Sequence, residues 1–162
     1  MSYAISRRRL RTSTAIGAVS LGLLALSGCE KPSPLVTATV NSETVTAEAA
    51  CHADEGSLPG AEAKKCLGEK AEKTVEVGPG DKFRLGVEPD MAETGWLFII
   101  DNRPVLPGTS KKTYYTFNGD SLFQQQGQNG QATTKKSVKA TVVQMDDGEF
   151  KGVWHLKLKK TG

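Results

Sequence analysis

The sequence predicts an all-β domain built as an antiparallel sandwich. Three observations carry that expectation. Apolar and polar residues alternate with period two through most of the stretch 35–162, Gly, Pro, Asn and Asp fall between the alternating runs, and no stretch sustains the 3.6-residue period of an amphipathic helix.

The first two strands read as a hairpin. Val36, Ala38 and Val40 alternate with Thr37 and Thr39, Asn41-Ser42 interrupts, and Val45, Ala47 and Ala49 then alternate with Thr44, Thr46 and Glu48. Valine and threonine suit a pleated, half-buried surface, and a two-residue polar break has the length of a tight turn. Ala49-Ala50 leads into Cys51. From there the chain reads as a loop through Gly56, Pro59 and Gly60, then one or two helical turns from Ala61 toward Lys73. A free helix of that length is marginal in water, so this one must be held against the sheet.

Thr74 to Val77 and Lys82 to Val87 are the next strands, split by the turn Gly78-Pro79-Gly80-Asp81. Phe83, Leu85 and Val87 share one face; Lys82, Arg84 and Gly86 take the other. Glu88 to Gly95 reads as a polar connection. Trp96-Leu97-Phe98-Ile99-Ile100 is apolar on both faces and is expected to be a central strand. Thr113 to Phe117 follows as a strand, and Asn118 to Thr134, with its glutamine-rich tract, as a mobile loop. Lys135 to Met145 alternates through Val138, Ala140 and Val142, and Asp147-Gly148 marks a tight hairpin. In the last strand, Val153 to Lys159, the residues Trp154, Leu156 and Leu158 point one way and His155, Lys157 and Lys159 the other. About eight strands joined by turns argue for an immunoglobulin-like β-sandwich with one disulfide-tied loop, a small β-barrel being the alternative. Trp96 and Trp154 are expected to pack between the sheets.

The beginning of the chain has a different texture. Ser6-Arg7-Arg8-Arg9-Leu10-Arg11 is followed by an apolar run from Thr14 to Leu26 and then by Ser27-Gly28-Cys29. A permanent membrane helix needs about 20 apolar residues, so this run reads as a cleavable export signal. Arg7 and Arg8 are the export-signal candidates. Their pairing resembles a twin-arginine signal, while any basic start serves general secretion, so both routes stay open. Leu26-Ser27-Gly28-Cys29 resembles the lipobox of bacterial lipoproteins. The resemblance implies a diacylglyceryl group on the Cys29 thiol, cleavage before Cys29 and a lipid anchor in the cell membrane with the domain on its extracytoplasmic face. Two acyl chains hold stably, since each buried methylene contributes about 0.8 kcal/mol. Residues 1–28 are thus expected to be a lipoprotein signal peptide, 29–34 a lipidated tether stiffened by Pro32 and Pro34, and 35–162 the sandwich.

This division changes the charge. The whole chain carries +3, from 21 Lys+Arg against 18 Asp+Glu; residues 1–28 hold four arginines and no acid, which leaves 17 against 18. The basic balance belongs to the signal, and with it goes any argument for a nucleic-acid partner. The cysteines change too. With Cys29 lipidated, Cys51 and Cys66 remain as an even pair in an oxidising compartment, where a disulfide is expected and would contribute on the order of 3 kcal/mol. Two free thiols or a redox pair are the alternatives, and no CxxC spacing supports the latter.

No constellation for catalysis emerges. His52 and His155 lack HxH or HxxxH spacing and read as surface histidines, and Cys51-His52 with Cys66 lacks a fourth zinc ligand. There is no GxSxG elbow, Gly78-Pro79-Gly80-Asp81 lacks the Lys-Ser/Thr of a phosphate loop, and Asp146, Asp147 and Glu149 crowd a hairpin turn. Lys111, Lys112, Lys135, Lys136, Lys157, Lys159 and Lys160 read as charged strand faces and edges that resist aggregation, in preference to one anion-binding patch.

Several further stretches carry a resemblance: Lys31-Pro32-Ser33-Pro34-Leu35, Val45-Thr46-Ala47-Glu48-Ala49, the Cys51/Cys66 pair, Gly95-Trp96, Lys111-Lys112-Thr113-Tyr114 and Gly152-Val153-Trp154-His155. With the lipobox, they make the chain resemble a family of small actinobacterial, streptomycete-type lipoproteins made of a domain of unknown function. The resemblance implies the outer leaflet of the cytoplasmic membrane and brings no activity with it. The expectation is a non-catalytic binding or structural module of the cell envelope, needing no cofactor or metal. Its partners would be the membrane, through Cys29, and another envelope protein or polymer. The alternative is a small-ligand or metal-binding lipoprotein with a pocket near Trp96 or near His52 and His155. An envelope enzyme ranks third.

Overall fold

The computed structural model describes residues 32–126 and 131–162. The export-signal residues Arg7 and Arg8, the lipidation candidate Cys29, the rest of 1–31 and residues 127–130 lie outside the described residues.

Non-glycine residues reach the left-handed region at four described positions, and all four make hairpin turns. Asn41 (φ 54°) joins β1 (Val36–Val40) to β2 (Glu43–Ala47). After β3 (Ala49–His52), α1 (Gly60–Gly68), β4 (Lys73–Val77), β5 (Lys82–Val87) and α2 (Pro89–Thr94), Asp101 and Asn102 join β6 (Trp96–Ile100) to β7 (Arg103–Pro104). Beyond β8 (Tyr114–Asn118), α3 (Gly119–Leu122), β9 (Gln124–Gln126) and β10 (Ala132–Thr134), Asp147 joins β11 (Ser137–Asp146) to β12 (Glu149–Lys160). Asn and Asp tolerate this backbone because their short polar side chains bond locally.

Apart from β9 and β10, which pair with each other, these strands form the two sheets of an immunoglobulin-like sandwich, antiparallel but for one pairing. One sheet runs β2-β1-β5-β8; the other runs β12-β11-β6-β7, with β3 and β4 sharing the outer edge of β12. Register places Ala38 between Val45 and Leu85, so the alternation expected from sequence points Val36, Ala38, Val40, Phe83, Leu85 and Val87 inward. Across the gap they meet Phe98, Ile100, Val138, Ala140, Val142, Leu156 and Leu158, all buried in one core. Trp96 and Trp154 lie in that core, as expected, fully buried. Each keeps its indole N–H satisfied: Trp96 Nε1 donates to Lys112 O at 2.7 Å and Trp154 Nε1 to Pro34 O at 2.8 Å. Pro34 is itself buried, so the indole pins the start of the domain.

Several expectations need correction. The alternation over 44–49 is not one strand: the chain leaves one sheet at Glu48 and enters the other, giving β2 and β3, and β3 runs on through Cys51 to His52. The pairing of β4 with β12 is parallel, with Val75 opposite Leu158. The connection 88–95 holds α2, which starts with Pro89 at its first turn and buries Met91 completely. Within the stretch expected as a loop, residues 118–126 and 132–134 hold regular structure. Asn118 Oδ1 accepts from Asp120 N at 3.0 Å and starts α3, and β9 pairs with β10. That small sheet is tied to the sandwich through Asp101, whose carboxylate accepts from Gln125 Nε2, Lys135 Nζ and Lys139 N, each at 2.8 Å.

The outer face of the second sheet is covered as well. Cys51 and Cys66 form the expected disulfide, with Cα atoms 6.0 Å apart. It closes a second small core of Leu58, Ala63, Cys66 and Val153 beneath α1. No helix among the described residues is long and apolar enough to cross a membrane.

Candidate functional site: two histidines on opposite faces

The position of each histidine follows from the register of β12. Gly152 pairs with His52 and Val153 with Cys51; a bulge then places Ala49 beside Trp154. Neighbouring positions on a strand face opposite ways. Val153 and His155 therefore face α1, while Gly152, Trp154 and the paired His52 face the other way. The structure does not bring the two histidines together. They line separate cavities, of about 260 Å³ for His155 and about 210 Å³ for His52. Among the described residues, no three His, Cys, Asp or Glu side chains gather as a metal ion would require.

His155 was expected on the surface and is instead buried, because α1 covers the face to which it points. Its Nε2 lies 2.7 Å from Cys66 O and its Nδ1 3.0 Å from Thr141 Oγ1. A carbonyl can only accept, so Nε2 carries the proton, and neutral Nδ1 accepts from the threonine hydroxyl. Burial holds the imidazole below its ordinary pKa, opposed by the Cys66 carbonyl; Lys139 nearby lowers it further and Glu69 raises it. Lys139 Nζ donates to Leu67 O at 2.7 Å and Glu69 O at 3.1 Å. Together the two side chains bond carbonyls at and just beyond the C-terminal end of α1; Cys66 O also accepts from Glu69 N at 3.1 Å, so His155 adds a second bond there, while Lys139 serves Leu67 O and Glu69 O. His155 is a latch for the helix.

A pH dependence follows. A histidine whose pKa is lowered by folding binds fewer protons folded than unfolded, so its contribution is complete above the unfolded value of about 6.5 and is lost as pH falls below it. Urea denaturation at pH 7.5 and pH 5 should show this loss. His155→Gln, which keeps a donor for Cys66 O, should show a smaller difference between the two pH values. Equal differences in the two proteins would mean that another group carries the effect.

The second cavity is built from three elements. α2 supplies Glu93 and Thr94, β11 supplies Gln144, and β3 with the residues after it supplies His52 and Asp54; Pro32 and Pro34 also line it. Gln144 is 2% exposed. The Thr94 hydroxyl donates to Asp90 O and Met91 O at 3.4 Å, leaving its oxygen to accept from Gln144 Nε2 at 2.9 Å. That orients the amide and leaves Gln144 Oε1 buried with no hydrogen-bond partner. A register shift between Gln144 and Met145 lies at this point of the strand, where Met145 N bonds Gly95 O. His52, expected at the surface, has a side chain only 12% exposed. Neither of its ring nitrogens makes a hydrogen bond; Nδ1 stands 3.5 Å from Asp54 Oδ1. Lys151, also in the wall, has its ammonium 3.2 Å from Asp146.

Sequence reasoning named His52 but missed Gln144, Glu93 and Asp54. One signal was available: Gln144 interrupts the run Val142-Val143-Gln144-Met145 inside a strand. Lys135 and Lys157 line one cavity together with Lys70 and Lys139, and three of the seven lysines are paired with carboxylates. Lys135 pairs with Asp101 at 2.8 Å, Lys159 with Glu76 at 2.8 Å and Lys160 with Asp120 at 2.7 Å. Asp146 and Glu149 are engaged at the hairpin by Lys151 and by the Ser57 hydroxyl.

No protein-family profile matches this chain, and no curated protein matches it. Among solved structures, the fibronectin(III)-like modules of Clostridium thermocellum CbhA are similar in fold, at 10% identity and a TM-score of 0.37. The match covers 57% of this chain and 94% of that one.

Proposed function

We propose that the protein is a membrane-anchored extracytoplasmic lipoprotein whose sandwich is a non-catalytic binding or structural module of the cell envelope. The observation that supports this best is the Cys51–Cys66 disulfide. Such a bond belongs to an oxidising compartment, and forming it leaves Cys29 as the one remaining cysteine of the chain, directly after Leu26-Ser27-Gly28. The anchoring of Pro34 under Trp154 fits the same reading. Five residues from Cys29 to Pro34 span at most about 18 Å when extended, so a lipid on Cys29 would keep the domain close to the bilayer.

Cys29→Ser tests the anchor. Wild type should incorporate labelled fatty acid and partition into the detergent phase of a Triton X-114 extraction. The variant should take up no label and should either be released to the aqueous phase or remain as uncleaved precursor. A processed variant that still partitions with the membrane would overturn the lipid assignment. A second reading, a small-ligand-binding lipoprotein, draws on the buried, unpartnered Gln144 oxygen.

A further inference from the structure

We infer that the cavity between α2, β3 and β11 binds a primary ammonium group, held by the Glu93 and Asp54 carboxylates with Gln144 Oε1 as a neutral acceptor. The inference deepens the small-ligand-binding reading and rests on it: it names the chemistry of the ligand.

Carboxylates outnumber cations in the wall: Asp54, Asp90 and Glu93 line it against Lys151, with the His52 ring beside them. Glu93 and Asp54 are exposed carboxylates, and Lys151, the lysine beside them, has its own carboxylate partner in Asp146. The field inside is therefore negative, and a cation is favoured. The buried Gln144 oxygen adds a demand that charge alone would not make. A polar group removed from water without a hydrogen bond is a standing penalty, relieved by any ligand that brings an N–H donor to it. Thr94 fixes which end of the amide is left unpaired, so the missing partner is a donor and not an acceptor.

Three alternatives fit less well. A metal ion would need three converging ligands, which the described residues do not supply. A quaternary ammonium has no N–H to donate and is recognised by cages of aromatic faces. The aromatic ring in contact with His52 is Trp154, which is completely buried. A large organic cation exceeds about 210 Å³. A primary ammonium on a short chain satisfies both the charge and the orphaned acceptor. Its source is either a soluble amine or the headgroup of an aminophospholipid, because Pro32 in the cavity wall lies three residues from Cys29.

The test uses the full chain in dodecylmaltoside micelles, with the Gln144 side-chain amide and the His52 ring followed by NMR. Ethanolammonium chloride should shift both signals saturably, or phosphatidylethanolamine in the micelle should do so where phosphatidylcholine does not; the first result assigns a soluble amine and the second a headgroup. Asp54→Asn with Glu93→Gln, both at exposed positions, should weaken binding at least about tenfold, equivalent to roughly 1.4 kcal/mol. Gln144→Met should weaken the binding read at His52, and the unfolding midpoint of each variant reports that the fold is intact. Tetramethylammonium at the same ionic strength should do nothing. The inference is overturned if neither amine source gives saturable shifts, if the double variant titrates like wild type, or if tetramethylammonium binds equally. Membrane fractionation of the Cys29→Ser chain reads the anchoring separately, so the two readings can fail independently.

Discussion

Replacing Gly152 with alanine should destabilise the domain by about 3 kcal/mol, the upper part of the range for overpacking a buried site. The reason is a collision and not a backbone preference. A Cβ on Gly152 would stand 2.7 Å from Trp154 Cζ3 and 2.9 Å from His52 Cδ2, and closer still to Trp154 Cη2. The indole has nowhere to retreat. It is fully buried, and its N–H is bound to the carbonyl of buried Pro34, so moving it would leave that acceptor unpaired. The effect should appear as a lower urea midpoint at unchanged m-value. Combining Gly152→Ala with Trp154→Phe should cost less than the sum of the two changes, because the smaller ring gives up the space that the methyl needs. Strict additivity, or a Gly152→Ala protein within about 0.5 kcal/mol of wild type, would mean that Trp154 is not held as described.

The parts of this structure that could be read from sequence are those whose cause is local. Strand faces follow from period two, and the turns at Asn41 and Asp147 follow from residues that accept a left-handed backbone. The rest depends on partners distant in the chain. The faces of β12 were assigned correctly, yet His155 was expected in solvent because nothing near it in sequence shows that α1 lands there. The disulfide decides that, and its two ends are 15 residues apart and far along the chain from β12, which they meet only in the fold. In 118–126 the only apolar anchor is Leu122-Phe123, both buried in the core, and the pairing of β9 with β10 depends on distant bonds such as Arg103 Nη2 to Gln124 O at 2.9 Å that the local pattern does not show. The switch of sheets at Glu48 leaves the alternation intact, since Ala47 and Ala49 are both apolar whichever sheet they join. The candidate site is legible only as odd residues: His52 beside a cysteine, and Gln144 in an apolar strand. Their shared cavity needs α2, which sequence reading took for a polar connection.

Removing the disulfide with Cys51→Ala and Cys66→Ala should cost about 3 kcal/mol, the loop-closure value for a crosslink of this span. For a domain of this size that corresponds to a melting point lower by about 10 °C. The loss should not be spread evenly. α1 is nine residues long, has no side-chain cap at its start, and buries only Ala63 and Cys66. Without the crosslink its attachment to the sheet reduces to the small core around Val153, the His155 bond and the Lys139 bonds. Hydrogen exchange in α1 should therefore accelerate by more than the global loss accounts for, as a locally opening unit does. When α1 lifts, water reaches His155, the imidazole regains a more ordinary pKa, and its share of the pH dependence between 7.5 and 5 shrinks. The two-cysteine variant and His155→Gln should thus flatten the same curve for different reasons, one by exposing the ring and the other by removing it. If stability falls by less than about 1 kcal/mol, and the α1 amides keep their protection, the helix is held by the histidine and lysine bonds alone and the disulfide is incidental to it.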